Sequence, residues 1–343
     1  MNIINQLAFL LLFQLQLGIE HALKFSHPSP IQDSQRTQKS DKPTGANIVF
    51  KSIDGGKTWQ DIGKSLPKNI QGANDGIDSY VYKAEDCANS NGLFLRAGKS
   101  IFHHERNAAT TFWKKEIFPN QMSNIATGKN GLIAYNYSGQ IVQKTNESNV
   151  WLPVYTSFKG TIRTVFEAGQ GSIFIGSENG LFKSANGGKT WKQVHIGGWV
   201  LKLVEQNGVL IATSQSGIIR STDDGEHWTV VISEGGVGID VAPIKGGFAA
   251  ITYNTASETR RVRTSYDGGK TWQAIDAGLP PNPSISSIVQ VGENLFCGHP
   301  DGIYKSTDKG KTWKRILCSM DGKVFNLSVS GNVLYAILKN GGC

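Results

Sequence analysis

Five copies of one octapeptide, S-x-[DN]-x-G-x-[TH]-W, constrain this 343-residue chain more than any other feature. They read SIDGGKTW at 52–59, SANGGKTW at 184–191, STDDGEHW at 221–228, SYDGGKTW at 265–272 and STDKGKTW at 306–313. Self-similarity of this kind is the signature of a repeat architecture, so the period has to be read before any single residue.

Each copy reads as a tight turn between two short strands. The third-position side chains (Asp54, Asn186, Asp223, Asp267, Asp308) can accept hydrogen bonds from backbone amides two residues on. The fifth-position glycines (Gly56, Gly188, Gly225, Gly269, Gly310) can take a positive φ where a side chain would clash. The hydroxyls of Ser52, Ser184, Ser221, Ser265 and Ser306, with the Thr that follows in most copies, can tie the two sides of the turn together. The closing Trp59, Trp191, Trp228, Trp272 and Trp313 are apolar plates suited to wedging between neighbouring sheets. Truncating one when buried would cost roughly 3–5 kcal/mol. Every position thus has a folding role, and the octapeptide reads as structural.

The motif resembles the Asp-box, or BNR repeat, of sialidases, xyloglucanase-type glycosidases, sortilin-type receptors and photosystem II stability factors. The resemblance implies a β-propeller. It is weak for function, because the same turn recurs in enzymes, receptors and assembly factors.

Alignment on tryptophan adds two degenerate copies, RNAATTFW at 106–113 and KTNESNVW at 144–151. The series Trp59, Trp113, Trp151, Trp191, Trp228, Trp272, Trp313 then steps by about 42 residues on average, the size of one four-stranded blade. Each unit carries an apolar first strand and a second strand rich in small residues, for example 132–135, 173–176 and 248–252. A short loop, a third strand such as 180–184, the octapeptide and a fourth strand complete it. These strands are labelled A to D. The first unit has only C and D (48–50, 60–62) and the last only A and B (324–329, 333–338), so two half-blades would make one whole if the chain closes in a circle. The expected fold is all-β: a single seven-bladed propeller of four-stranded antiparallel blades, sealed by N-terminal C–D strands pairing with C-terminal A–B strands.

Composition agrees. Glycine is 40 of 343 residues, about 12% against a usual share of about 7%, and charged residues are only 18%. Residues 1–22 contain an apolar run at 7–17, too short to span a bilayer as a helix, and read as a signal peptide that directs export. Residues 23–46 read as a flexible polar leader and 47–343 as the propeller. The net charge of +8 is spread over lysines within and beside the repeats, and the one dense basic cluster is Arg260, Arg261 and Arg263. No nucleic-acid motif accompanies it, and a polyanion-binding surface there is a further reading. Cys87, Cys297, Cys318 and Cys343 form no C-x-x-C pair, which argues against zinc and leaves any disulfide pairing open. No cofactor or metal is expected.

In a propeller the C–D octapeptides share a face with the A–B turns, and the B–C and D–A loops occupy the other. The candidate binding residues therefore belong to those loops: Tyr137, Tyr155, Phe158, Arg163, Glu178, Trp199 and Asp301, with an insertion at 78–91 that carries Tyr80, Tyr82, Glu85, Asp86 and Cys87. Aromatic side chains with scattered polar groups suit a sugar or peptide ligand. Sialidase chemistry needs an arginine triad and an R-I-P segment before the first octapeptide, and residues 23–51 contain a single arginine and no such segment. Another glycoside hydrolase would need two carboxylates roughly 5–9 Å apart. Asp78, Glu178, Glu234, Asp240, Asp276 and Asp301 are candidates, and their spacing selects no pair. No H-E-x-x-H, nucleophile elbow, Walker or dinucleotide motif is present, and sequons stand at Asn136, Asn146 and Asn326. The sequence therefore points first to an exported, monomeric, non-enzymatic propeller that binds a protein or glycan on its loop face, as an assembly or scaffold factor. A glycoside hydrolase of the sialidase-like or xyloglucanase-like class is the alternative.

Overall fold

The computed structural model describes residues 48–66, 77–81, 92–97, 100–105, 112–128, 131–145, 150–234, 236–320 and 322–339. The expected signal peptide and leader, Tyr82 to Cys87, Asn146 and Cys343 lie outside the described residues, as do the side chains of Asp78 and Tyr80.

Among the described residues, 28 strands form seven four-stranded antiparallel sheets, each running A-B-C-D in order. This is a seven-bladed β-propeller. Blades 1 to 6 occupy 77–115, 124–154, 164–196, 203–232, 237–274 and 287–318. Blade 7 is composite: Val324–Ser330 and Val333–Lys339 supply A and B, and Val49–Ser52 and Gln60–Asp61 supply C and D. The seal is an antiparallel register of Val49 with Ile337, Phe50 with Ala336, Lys51 with Tyr335 and Ser52 with Leu334. Pairing both ends of the chain in one sheet removes the open edges a linear stack would leave.

The burial pattern follows from strand position. B strands lie between neighbouring blades on both faces, so Gly131–Tyr135 is buried at every residue and Ile173–Ser177 at all but the first. D strands are the outer edges. They are short and largely exposed, and Lys114–Lys115 and Lys314–Cys318 carry the charge that discourages edge-to-edge pairing.

The core is seven apolar clusters, one at each blade junction, and each contains or packs against one tryptophan of the 42-residue series. Trp228 meets Phe174 of the preceding blade edge-on with ring centroids 6.3 Å apart, and Trp191 meets Phe158 at 5.6 Å. The degenerate copies hold the most buried members, Trp113 and Trp151. Their indole N–H groups donate to the Ile62 carbonyl at 2.7 Å and to Glu116 Oε2 at 2.9 Å.

Within each octapeptide the third-position side chain organises the turn. Asp267 Oδ1 accepts from the Ser265 hydroxyl (2.8 Å) and from the amides of Lys270 and Thr271 (3.0 Å each), while Oδ2 accepts from the Thr271 hydroxyl (2.6 Å). The amides are thus three and four residues on, not two as the sequence reading had it, because both the fourth and fifth residues take left-handed backbone (φ +72 at Gly268, +78 at Gly269). The fourth position tolerates a side chain, for Asp224 and Lys309 stand there at φ +55 and +60. The fifth does not: a Cβ on Gly269 would sit 2.6 Å from Ile211 Cδ1 of the preceding blade.

The Arg260–Arg263 cluster is absorbed into blade 5 and forms no free basic surface. Arg260 and Arg263 are buried, Arg260 donating to the Ile285 carbonyl (2.6 Å) and Arg263 to Thr252 and Glu234; Arg261 pairs with Asp276 at 2.5 Å. Cys297 is buried and Cys318 exposed, and the two are not joined. Among the described residues no helix is long and apolar enough to cross a membrane.

Two stability tests follow. Gly269→Ala is expected to cost about 2–4 kcal/mol in urea denaturation, combining left-handed strain with overpacking onto Ile211, whereas Gly268→Asp stays within about 1 kcal/mol. The second concerns acid. The Thr312 hydroxyl and amide and the Ser306 hydroxyl hold Asp308 down to about 2. Asp54 and Asp267 are held lower still, first by the Thr58 and Thr271 hydroxyls, and Asp223 by the His227 amide. Their depressed folded-state values make this stabilisation complete above the unfolded Asp range, near pH ~4, and lost as pH falls from there toward about 2. Melting temperatures measured from pH 5 to 2.5 should therefore fall steeply. Asp→Asn at all four positions should flatten that fall, because Asn186 already holds the same turn with an uncharged amide.

Candidate functional site

The loop face gathers four of the seven predicted binding residues into one cluster spanning blades 2 to 4. Arg163 opens blade 3. Its guanidinium lies 5.3 Å from the Tyr137 ring centroid and 5.8 Å from that of Trp199, and it pairs with Glu178. Tyr137 comes from the B–C loop of blade 2, Glu178 from that of blade 3, and Trp199 from the D–A loop into blade 4. Tyr137 and Trp199 remain 40% and 47% exposed, so the rings that hold the arginine also face outward.

Each member is positioned by its own local network. Buried Asn136 fastens the loop beneath Tyr137: its Oδ1 accepts from the amides of Ser138 (3.1 Å) and Gln140 (3.0 Å), and its Nδ2 donates to the Gln121 carbonyl (3.0 Å) and Gln140 Oε1 (2.7 Å). The same bonds occupy the sequon asparagine in the folded chain. Arg163 is fixed through its amide to the Gly176 carbonyl at 2.8 Å. The Ser177 hydroxyl shapes the Glu178 loop by accepting from the Asn179 amide and donating to the Gly180 carbonyl. Behind Trp199, the Val200 amide donates to the Ser177 carbonyl at 3.2 Å. The preceding turn passes so close to Gln215 that a Cβ on Gly198 (φ +85) would lie 1.8 Å from its side-chain oxygen. His195, at the outer edge of this loop, is kept below its usual pKa by burial, so its ring is neutral near pH 7.

Two exposed aliphatic residues stand near Trp199 in the chain: Ile196 (79%), the last residue of strand D of blade 3, and Leu201 (43%). Sequence reading passed over both. Their one signal was position, since they flank the already selected Trp199 in a stretch where the strand pattern stops.

The other three predicted residues are elsewhere. Phe158 is buried in the junction of blades 2 and 3 against Phe182 and Trp191, which is a core role. Tyr155 is exposed but lines a hollow beside the octapeptide of blade 3. Asp301 lies in blade 6, 3.6 Å from His299. Four of the five acidic candidates with described side chains are engaged with cations: Glu178 with Arg163, Glu234 with Arg263, Asp276 with Arg261, and Asp240 with Lys202 at 2.6 Å.

No family model matches the chain, and no curated protein matches it. Solved structures do. The YCF48 propeller bound to a D1 peptide aligns at TM-score 0.51 and 12% identity, over 77% of this chain and 97% of that one. A GH74 xyloglucanase from Xanthomonas campestris aligns at 0.57 and 14%, over 82% of this chain and 53% of the enzyme. The extracellular domain of a putative one component system from B. thetaiotaomicron aligns at 0.56 and 15%, over 76% of this chain and 36% of that one. The chain therefore spans about half or less of the latter two. At these identities the likeness establishes the propeller and not its activity.

Proposed function

We propose that this chain is an exported, non-enzymatic propeller of the Asp-box type whose loop face binds a protein partner through the cluster centred on Arg163. The carrying observation is the composition of that cluster. An arginine held between two half-exposed aromatic rings, with exposed Ile196 and Leu201 near Trp199 in the chain, is the residue mix of a protein-binding hot spot. The cation–π contacts are each worth about 0.5–1 kcal/mol at an exposed site, and they fix the guanidinium before a partner arrives. The aliphatic pair favours a polypeptide over a sugar. Pairing of Glu178, Glu234, Asp240 and Asp276 with arginine or lysine, which leaves Asp301 as the one described candidate without such a partner, supports binding over hydrolysis, since a glycosidase needs one carboxyl free to protonate and a second free to attack or activate water. One solved neighbour, YCF48, is bound to a peptide, which fits this reading. Export draws its support from the apolar run at 7–17 and from extracellular domains among the neighbours.

The test is selection of peptides against the full chain, with affinities by calorimetry. Arg163→Ala and Trp199→Ala should each weaken the selected peptide by about tenfold or more, or about 1.4 kcal/mol. Tyr155→Ala and Asp301→Ala should leave it unchanged. Peptides indifferent to both cluster variants, or glycoside turnover abolished by a loop-face carboxylate variant, would overturn the reading.

A further inference from the structure

The residue immediately before the octapeptide in strand C recurs as a latch between blades. Lys183 reaches Asp224 (2.9 Å) and Glu226 (2.7 Å) in the octapeptide of blade 4. Arg220 Nε donates to the Gly268 carbonyl of blade 5 at 2.7 Å, and Lys305 Nζ to the Gly55 carbonyl of blade 7 at 3.0 Å. Each cation therefore seats at the fourth octapeptide residue of the next blade. Two of them also lie over a phenylalanine on the adjacent B strand, Lys183 over Phe174 and Lys305 over Phe296.

Blade 2 departs from this rule. Gln143 stands at the latching position and Ile133 is its B-strand partner. Both line a hollow of about 240 Å³ whose far wall is the octapeptide of blade 3, at Gly187, Gly188 and Trp191. A second observation marks the same junction as underfilled. A Cβ on Gly188 would meet nothing nearer than 3.5 Å, whereas at the other four fifth-position glycines a side chain of the preceding blade stands at 2.5–2.6 Å. Blade 5 also lacks a latch, with Thr264 in that place, but there Ile275 closes the space against Gly310.

We propose that this hollow is a receptor seat for a cationic side chain, a lysine of a protein partner, entering where Lys183, Arg220 and Lys305 sit within the chain. The lining suits that occupant: the Glu167 carboxylate, the Trp191 indole, aliphatic walls for the methylene stem, and Tyr155 at the exposed side. Its volume, below the roughly 300–1,000 Å³ of small-molecule sites, fits a single side chain. The seat belongs to the octapeptide side of the ring and is independent of the loop-face cluster.

The probe is Nα-acetyl-lysine N-methylamide, titrated into the full chain and followed by ¹H–¹⁵N NMR of the eight indole N–H signals. The Trp191 signal should move saturably, and the norleucine analogue should bind about tenfold more weakly or worse for want of the charge. Gln143→Lys should abolish the response and raise the melting temperature by about 1–3 °C by restoring the latch. Arg163→Ala should leave the titration unchanged, which separates this seat from the loop face. A wild-type chain with no saturable shift at Trp191 would overturn the proposal whatever the variant does. So would equal binding of the norleucine analogue, or undiminished binding to Gln143→Lys.

Discussion

The ring depends on one repeated contact, the insertion of each octapeptide into the junction with the preceding blade. A blade is a small sheet with two apolar faces, and neither face is covered until a neighbour packs on it. The tryptophan supplies the area, and the fifth-position glycine lets the turn come down onto the neighbouring side chain, as Gly269 does on Ile211. The aspartate ladder makes the turn rigid enough for both to arrive together. Because interiors pack at near-crystalline density, the geometry of one turn then propagates from blade to blade around the ring. The composite seventh blade makes the last junction equivalent to the rest.

This division of labour explains where binding residues can stand. The octapeptides consume the C–D side of every blade, which leaves the B–C and D–A loops free to differ. Arg163 uses that freedom across two junctions, its rings coming from blades 2 and 4 and its carboxylate from its own blade. A cluster assembled from three blades is only as precise as their packing. A rigid ring beneath it therefore serves the site directly, and the Asn136 and Ser177 networks add the local part.

The architecture was legible in the sequence because its cause is periodic. The tryptophan spacing recovered even the two degenerate units, the B strands were bounded to within one or two residues, and the half-units at the ends gave the seal. The site was only partly legible because its contacts are not periodic. Tyr155 and Phe158 are three residues apart with opposite fates. The chain folds back at Thr156 and Ser157 onto the carbonyls of Gly188 and Lys189, and that turn drives Phe158 inward. Nothing local announces it. The run Arg260 to Arg263 misled for the same reason, since its partners Asp276, Glu234 and the Ile285 carbonyl are 15 to 29 residues away.

The junction of blades 2 and 3 shows how much variation such a ring can carry. Blade 2 has lost the first-position serine and the fifth-position glycine of the octapeptide pattern, with Lys144 and Ser148 in their places, and its tryptophan is held by other means. Trp151 donates to Glu116, which Lys144 and His103 approach at 3.6 and 3.7 Å, so a buried polar network holds the indole. With Lys144 drawn inward at the position where the pattern has serine, the neighbouring Gln143 has neither the length nor the charge to reach the next octapeptide. In an open stack an unlatched junction would be a place to unzip. In a closed ring that junction can part only if the rest of the circle deforms with it, so a hollow is tolerated there at the cost of one latch. The same closure that suppresses edges thus permits a gap between blades, and a gap shaped by the missing cation is by its geometry a place for another.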